Sequence, residues 1–129
     1  MFCMKPIKKA IKNSKILIIE DSELATSLGY IFEDLDVKDV QKIHSIVQSK
    51  MIDIDSFDLI LMDLNLLDSK SPEEVFSNIS KNCDVNKIVI VSGMDNLDLW
   101  AISRNVKFLC KPFDYQDLMS IVKEYFSID

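Results

Sequence analysis

Apolar residues in this chain gather in short runs, and each run stops on a polar residue. Lys15-Ile16-Leu17-Ile18-Ile19 ends on Glu20-Asp21, and Phe57-Asp58-Leu59-Ile60-Leu61-Met62 ends on Asp63. Lys87-Ile88-Val89-Ile90-Val91 ends on Ser92, and Val106-Lys107-Phe108-Leu109-Cys110 on Lys111-Pro112. Short runs of Ile, Val and Leu without alternation mark strands covered on both faces, as in parallel sheets. Val40 to His44 reads as a further strand.

Between the runs the period changes. Leu24, Leu28, Ile31 and Leu35 recur at helical spacing, with Ala25 and Phe32 widening the stripe. Ser22 and Glu23 suit the first turn of that helix. Ile46 to about Ile52 reads as a short helix. Ser71-Pro72-Glu73-Glu74 is a helix start, with Ser as N-cap, Pro at the first helical position and Glu at the third. Val75, Phe76 and Ile79 give its buried face. Leu97, Trp100 and Ala101 mark a short helix, and Leu118, Met119, Val122, Tyr125 and Phe126 mark the last one. Strand and helix alternate five times, which predicts an α/β doubly wound five-stranded parallel sheet with right-handed crossovers.

In such sheets ligands bind outside the carboxyl ends of the strands. Glu20, Asp21, Asp63, Ser92 and Lys111 are therefore expected in one cluster. Crowded carboxylates repel one another and either protonate or recruit a cation. An all-oxygen donor set favours a hard ion such as Mg²⁺. A carboxylate is also a competent nucleophile toward phosphorus, and Lys111 and Ser92 suit the oxygens of a phosphoryl group.

With the segments I-I-E-D, L-I-L-M-D, I-V-S-G and K-P-F in that order on strand ends, the chain from about Lys15 to Phe126 resembles the receiver domain of bacterial two-component response regulators, the CheY-like domains. The resemblance implies a flavodoxin-like (βα)5 fold with Asp63 as phosphoacceptor. It implies Mg²⁺ held by Asp21 directly, by Glu20 more through water, by Asp63, and by the backbone carbonyl of Asn65. Ser92 matches the switch hydroxyl, Lys111 the phosphoryl-contacting lysine, and the Lys111–Pro112 bond is commonly cis in the family. Phe108 matches the aromatic rotamer switch, with plain core packing as its other reading. The implied partners are a histidine kinase or phosphotransfer protein that donates the phosphoryl group, and a downstream protein met through the face of the fourth βα-unit helix, fifth strand and last helix. Such a domain is not an enzyme on other substrates; it assists its own phosphoryl transfer and hydrolysis.

Two departures bear on that resemblance. Most receivers carry Pro and Gly in the loop after the acceptor, whereas Leu66-Leu67-Asp68-Ser69-Lys70-Ser71 has neither. Ser92 and Lys111 lie 19 residues apart, which trims the helix between them. That leaves Trp100 with much of its packing and predicts mobility from about Met94 to Asn105.

Composition narrows the picture further. The 129 residues, 48% hydrophobic, suit one globular domain, divided here into a basic extension at 1–14 and a receiver-like domain at 15–129. The net charge of −6 argues against a nucleic-acid surface. Lys5, Lys8, Lys9, Lys12 and Lys15 cluster at the start, as a solvated arm or a contact to a membrane or an acidic partner, and residues 7–12 suit a helical turn or two. Cys3, Cys83 and Cys110 lack metal or redox spacing and read as free thiols of a reducing compartment. The single His44 does not suffice for a His-rich metal site. No apolar run reaches the roughly 18 residues of a membrane span, and Met1-Phe2-Cys3-Met4 is too short for a signal-peptide core. The expectation is a cytoplasmic, bacterial, stand-alone receiver in a phosphorelay or chemotaxis-like pathway.

A different class stays open beside it: an adaptor that keeps the receiver fold as a scaffold and works without phosphorylation. The altered loop favours the adaptor, and the intact acid, hydroxyl and lysine set favours the receiver. A flavin-binding protein of like topology fits less well, because its first loop should bring phosphate-binding hydroxyls and glycines, and Glu20-Asp21-Ser22-Glu23 would repel a phosphate without a metal ion.

Overall fold

The uninterrupted apolar runs become the middle of a five-stranded sheet. The computed structural model describes residues 5–127. Cys3 and the Met1–Met4 run lie outside the described residues. The strands are β1 (Lys15–Ile19), β2 (Asp39–Ile43), β3 (Leu59–Met62), β4 (Ile88–Ser92) and β5 (Lys107–Cys110). They are all parallel, in the order β2-β1-β3-β4-β5. The helices are α1 (Lys5–Ile11), α2 (Ser22–Asp34), α3 (Ile46–Ser49), α4 (Pro72–Ser80), α5 (Leu97–Ser103) and α6 (Tyr115–Tyr125).

Side chains alternate across each strand, and both faces are covered. Ile16, Ile18, Leu59, Leu61, Val89 and Val91 pack with Phe32 of α2 and Leu118 and Val122 of α6. Leu17, Ile19, Ile60, Met62, Ile88 and Ile90 pack on the other face with Ile46, Val75, Ile79, Leu97 and Ala101 of α3, α4 and α5. The edges differ: β2 buries only Ile43 fully, and β5 only Leu109. That is why β2, Asp-Val-Gln-Lys-Ile, gives so weak a sequence signal.

The basic extension does more than trail from β1. Residues 5–11 form α1, and its Ile7 and Ile11 are fully buried in the core layer of α2 and α6. Its lysines face outward, with Lys8 3.7 Å from Asp36.

Side-chain caps start α3, α4 and α6. Ser71 Oγ accepts from Glu74 N at 3.1 Å with Pro72 at the head of α4, as its sequence predicts. Asp114 and Asp117 close a reciprocal capping box on α6. The stretch expected as a helix to about Ile52 stops at Ser49, and a 3₁₀ turn follows at Ile54–Ser56. With two glycines in the chain, left-handed positions among the described residues fall to Asp36, Asn96, Asn105 and Ser127 (φ 65°, 57°, 57° and 54°), the first three being residue types that tolerate that region best after glycine. Among the described residues no helix is long and apolar enough to cross a membrane.

Candidate functional site

Strands β1, β3 and β5 bear their chemistry one residue past the last ladder position, where the sheet's hydrogen bonding extends to hold it, and Ser92 is the last ladder residue of β4. Glu20 N donates to Ile43 O at 3.1 Å, Asp63 N to Ile19 O at 2.8 Å, and Lys111 N to Ser92 O at 2.9 Å. The carboxylates of Glu20 and Asp63 and the ammonium of Lys111 are therefore carried on rigid backbone. They converge: Lys111 Nζ lies 3.1 Å from Glu20 Oε1 and 3.1 Å from Asp63 Oδ2. Asp63 Oδ1 accepts from Asn65 N at 3.0 Å, and Glu20 Oε1 accepts from Asp21 N at 3.1 Å. The Lys111–Pro112 peptide bond is cis.

Both acids are buried, with Glu20 1% and Asp63 6% exposed. Burial pushes the Glu20 carboxyl up to about 8, the neighbouring Asp63 adds to the rise, and Lys111 opposes it. Glu20 Oε2 is buried without a hydrogen-bond partner. At Lys111 burial works against the charge, but the carboxylates of Glu20 and Asp63 outweigh it and raise its value.

A cavity of about 440 Å³ opens beside Asp63. Ser92 and Lys111 line it, together with Asn65, Ser69, Lys70 and Ser71 from the β3–α4 loop and Gly93 and Met94 after β4. Ser92 is buried, and its Oγ accepts from Met94 N at 3.1 Å.

Not every expected residue joins this group. Asp21 is exposed and stands at the N-cap of α2 without a side-chain cap bond. Among the described residues no set of three or more His, Cys, Asp or Glu side chains is arranged to hold a metal ion, and Lys111 contacts both Glu20 and Asp63. Phe108 is half-buried and packs against the core layer of α3, α4 and α5. His44 is exposed at the end of β2, and its Nδ1–H donates to the Glu20 carbonyl at 2.8 Å.

Ser69, Lys70 and Ser71 were not expected at the site. They reach it because the loop lacking Pro and Gly is folded by its own side chains. Asp68 accepts from Ile46 N and Val47 N at 3.0 and 3.2 Å. Ser69 Oγ accepts from Leu66 N and donates to Leu66 O, and Lys70 N donates to Glu74 Oε1 at 2.9 Å. The side-chain-capping types Asp68, Ser69 and Ser71 are the sequence signal for that arrangement.

No family model matches the chain, and no curated protein matches it by sequence. Solved structures do match. The PhyR response regulator receiver domain of Erythrobacter litoralis aligns with a TM-score of 0.72 at 20% identity, covering 93% of this chain and 95% of that one. A response regulator receiver protein from Sinorhizobium medicae gives 0.69 at 20% identity, with 90% and 96% covered. The receiver domain of a histidine kinase from Arabidopsis thaliana, solved with Mg²⁺ and BeF₃⁻, gives 0.69 at 17% identity, with 96% and 97% covered. Likenesses at this level of identity establish architecture. The chain has the five-stranded, all-parallel, flavodoxin-like fold of CheY-like response regulator receiver domains over most of its length.

Proposed function

We propose that this domain is a phosphoacceptor: Asp63 takes a phosphoryl group from a histidine kinase or phosphotransfer protein and signals through protein–protein contact. The observation that carries the proposal is the Lys111 ammonium 3.1 Å from Asp63 Oδ2, at a cavity that Ser92 also lines. Asp63 supplies the nucleophile: a carboxylate oxygen attacks phosphorus, the bond from phosphorus to the donor breaks, and the donor keeps the electron pair. Lys111 and Ser92 are within the same pocket to hold the phosphoryl oxygens. Fixed strand-end backbone positions these groups before the donor arrives.

Magnesium fits the residues present. Every available donor is an oxygen, and Glu20 Oε2 is a buried carboxylate oxygen with no partner. Glu20, Asp21 and Asp63, with the Asn65 carbonyl, are the groups that would hold the ion, which supplies charge neutralisation between carboxylates and phosphoryl oxygens. The added phosphoryl group brings nearly two negative charges at neutral pH. Its output is assigned to the α5–β5–α6 face, where Leu99 and Ile102 stand exposed on α5. The domain acts on no other substrate.

Incubation with acetyl phosphate, with and without Mg²⁺, followed by intact mass measurement tests this. The expected result is one phosphoryl group gained with Mg²⁺ and none in Asp63→Asn. The phosphorylation-independent adaptor draws support from one observation, that Lys111 already balances Glu20 and Asp63. It predicts no mass gain under either condition.

A further inference from the structure

We propose that Lys70 binds the phosphoryl group of the incoming donor, as a second cation beside Lys111; this rests on Asp63 being the phosphoacceptor. A dianionic donor approaching Asp63 meets an unfavourable charge balance. Asp63 presents a carboxylate, and the ammonium of Lys111 is already engaged by Asp63 and Glu20 at 3.1 Å each. Exposed Asp21 adjoins Glu20. Lys111 therefore has little charge left to draw an anion inward before the reaction begins.

Lys70 is the other cationic residue lining the 440 Å³ cavity. Its side chain is in no ion pair with the described residues. Its backbone, by contrast, is fixed. Lys70 N bonds Glu74 Oε1, Ser71 caps the same helix, and Asp68 and Ser69 fasten the loop ahead of it. A lysine on a pinned loop, with an uncommitted ammonium and a flexible stem, is suited to follow a phosphoryl group as a point charge. A second cation on a wall that also carries Asp63 shifts the local field in favour of an incoming anion. This loop, which has neither Pro nor Gly, carries Lys70 to the cavity wall. The departure that weakens the receiver resemblance thus becomes, on this account, part of how the site takes its donor.

The experiment measures the initial rate of phosphorylation by intact mass against acetyl phosphate concentration in saturating Mg²⁺. It compares the wild-type chain with Lys70→Gln, Lys70→Arg and, as a control, Lys81→Gln on the exposed end of α4. Lys70→Gln is expected to raise the half-saturating concentration about tenfold, the scale of one lost charge-assisted contact, while the limiting rate changes by less than about twofold. Lys70→Arg keeps most of the affinity, and Lys81→Gln behaves as wild type. Phosphoramidate, which shares the phosphoryl group and lacks the acyl group, shows the same dependence on Lys70. Added salt weakens wild-type binding more than binding by Lys70→Gln. Wild-type phosphorylation with an unchanged Lys70→Gln curve overturns the role of Lys70 and leaves Asp63 as acceptor intact. A fall confined to the limiting rate, or a loss seen with acetyl phosphate alone, also overturns it. Failure of the wild-type chain to gain mass removes the acceptor assignment, and this inference with it.

Discussion

The indole N–H of Trp100 donates to Glu73 Oε1 at 2.7 Å, tying α5 to the first turn of α4. The same carboxylate oxygen receives Arg104 Nη2 at 2.6 Å, and the Arg104 guanidinium stacks 3.9 Å from the Trp100 ring centroid. Phe76 meets the indole edge-on at 5.2 Å. Two carboxylate-bound donors hold the Glu73 carboxyl below its usual range, the Arg104 contact foremost. Since α4 begins at the wall of the Asp63 cavity, α5 is fastened to an element that touches the site.

That clamp gives the segment from Met94 to Asn105 more anchors than its shortness suggests, with Leu97 and Ala101 buried beneath it. Trp100→Phe keeps the ring and removes the N–H. It is expected to lower hydrogen-exchange protection across α5 roughly fivefold, the equivalent of about 1 kcal/mol for one hydrogen bond. Glu73→Gln, which retains an acceptor oxygen, should lose less than Glu73→Ala. Equal protection in wild type and Trp100→Phe would show that Leu97 and Ala101 alone hold the helix.

Glu20 makes stability depend on pH in a direction opposite to most carboxylates. Its value is about 8 in the folded chain against 4.5 ordinarily. Between those values the folded state binds more protons than the unfolded one, so the contribution is complete below 4.5 and lost as pH rises through about 8. The slope is bounded by one proton, about 1.4 kcal/mol per pH unit. In magnesium-free buffer the urea midpoint should fall between about pH 5 and pH 8. Glu20→Gln should flatten the profile. A midpoint that climbs over this window contradicts the burial of a protonated Glu20.

The N-terminal helix is expected to be part of the folding unit. Ile11 is fully buried among the side chains of α2 and α6. Ile11→Ala should cost about 2–5 kcal/mol, the range for deleting a buried aliphatic side chain. Lys9→Ala, on the exposed side of the same helix, should change stability by less than about 0.5 kcal/mol. Matching denaturation curves for wild type and Ile11→Ala would mean that α1 contributes nothing to the core.

What the sequence revealed follows the physics of burial. The central strands β1, β3 and β4 are covered on both faces, so their runs are continuous and their ends are plain. Glu20, Asp63 and Ser92 could be located because each terminates such a run, and Lys111 because it ends the shorter apolar run of edge strand β5 directly before Pro112. Edge strand β2 gave a fainter signal because most of its side chains face water. The Glu73–Trp100 bond joins residues 27 apart, and no local period encodes it. The place of Lys70 was hidden for a similar reason, since it depends on Asp68 reaching back 22 residues to Ile46. The pairing of Ile7 and Ile11 with the core was also invisible, because seven residues carry too little pattern to distinguish a docked helix from a solvated arm.

On the proposed function, Asp63 carries the phosphoryl group. Borohydride reduction of acetyl-phosphate-treated protein, followed by peptide mass analysis, reads this at the residue, because hydride cleaves an acyl phosphate and reduces the carboxyl carbon to an alcohol. The account predicts reduction at Asp63, dependent on Mg²⁺ and absent in Asp63→Asn. Reduction at Asp21 or Glu20 in its place, or none anywhere in protein treated with Mg²⁺ and donor, would contradict it.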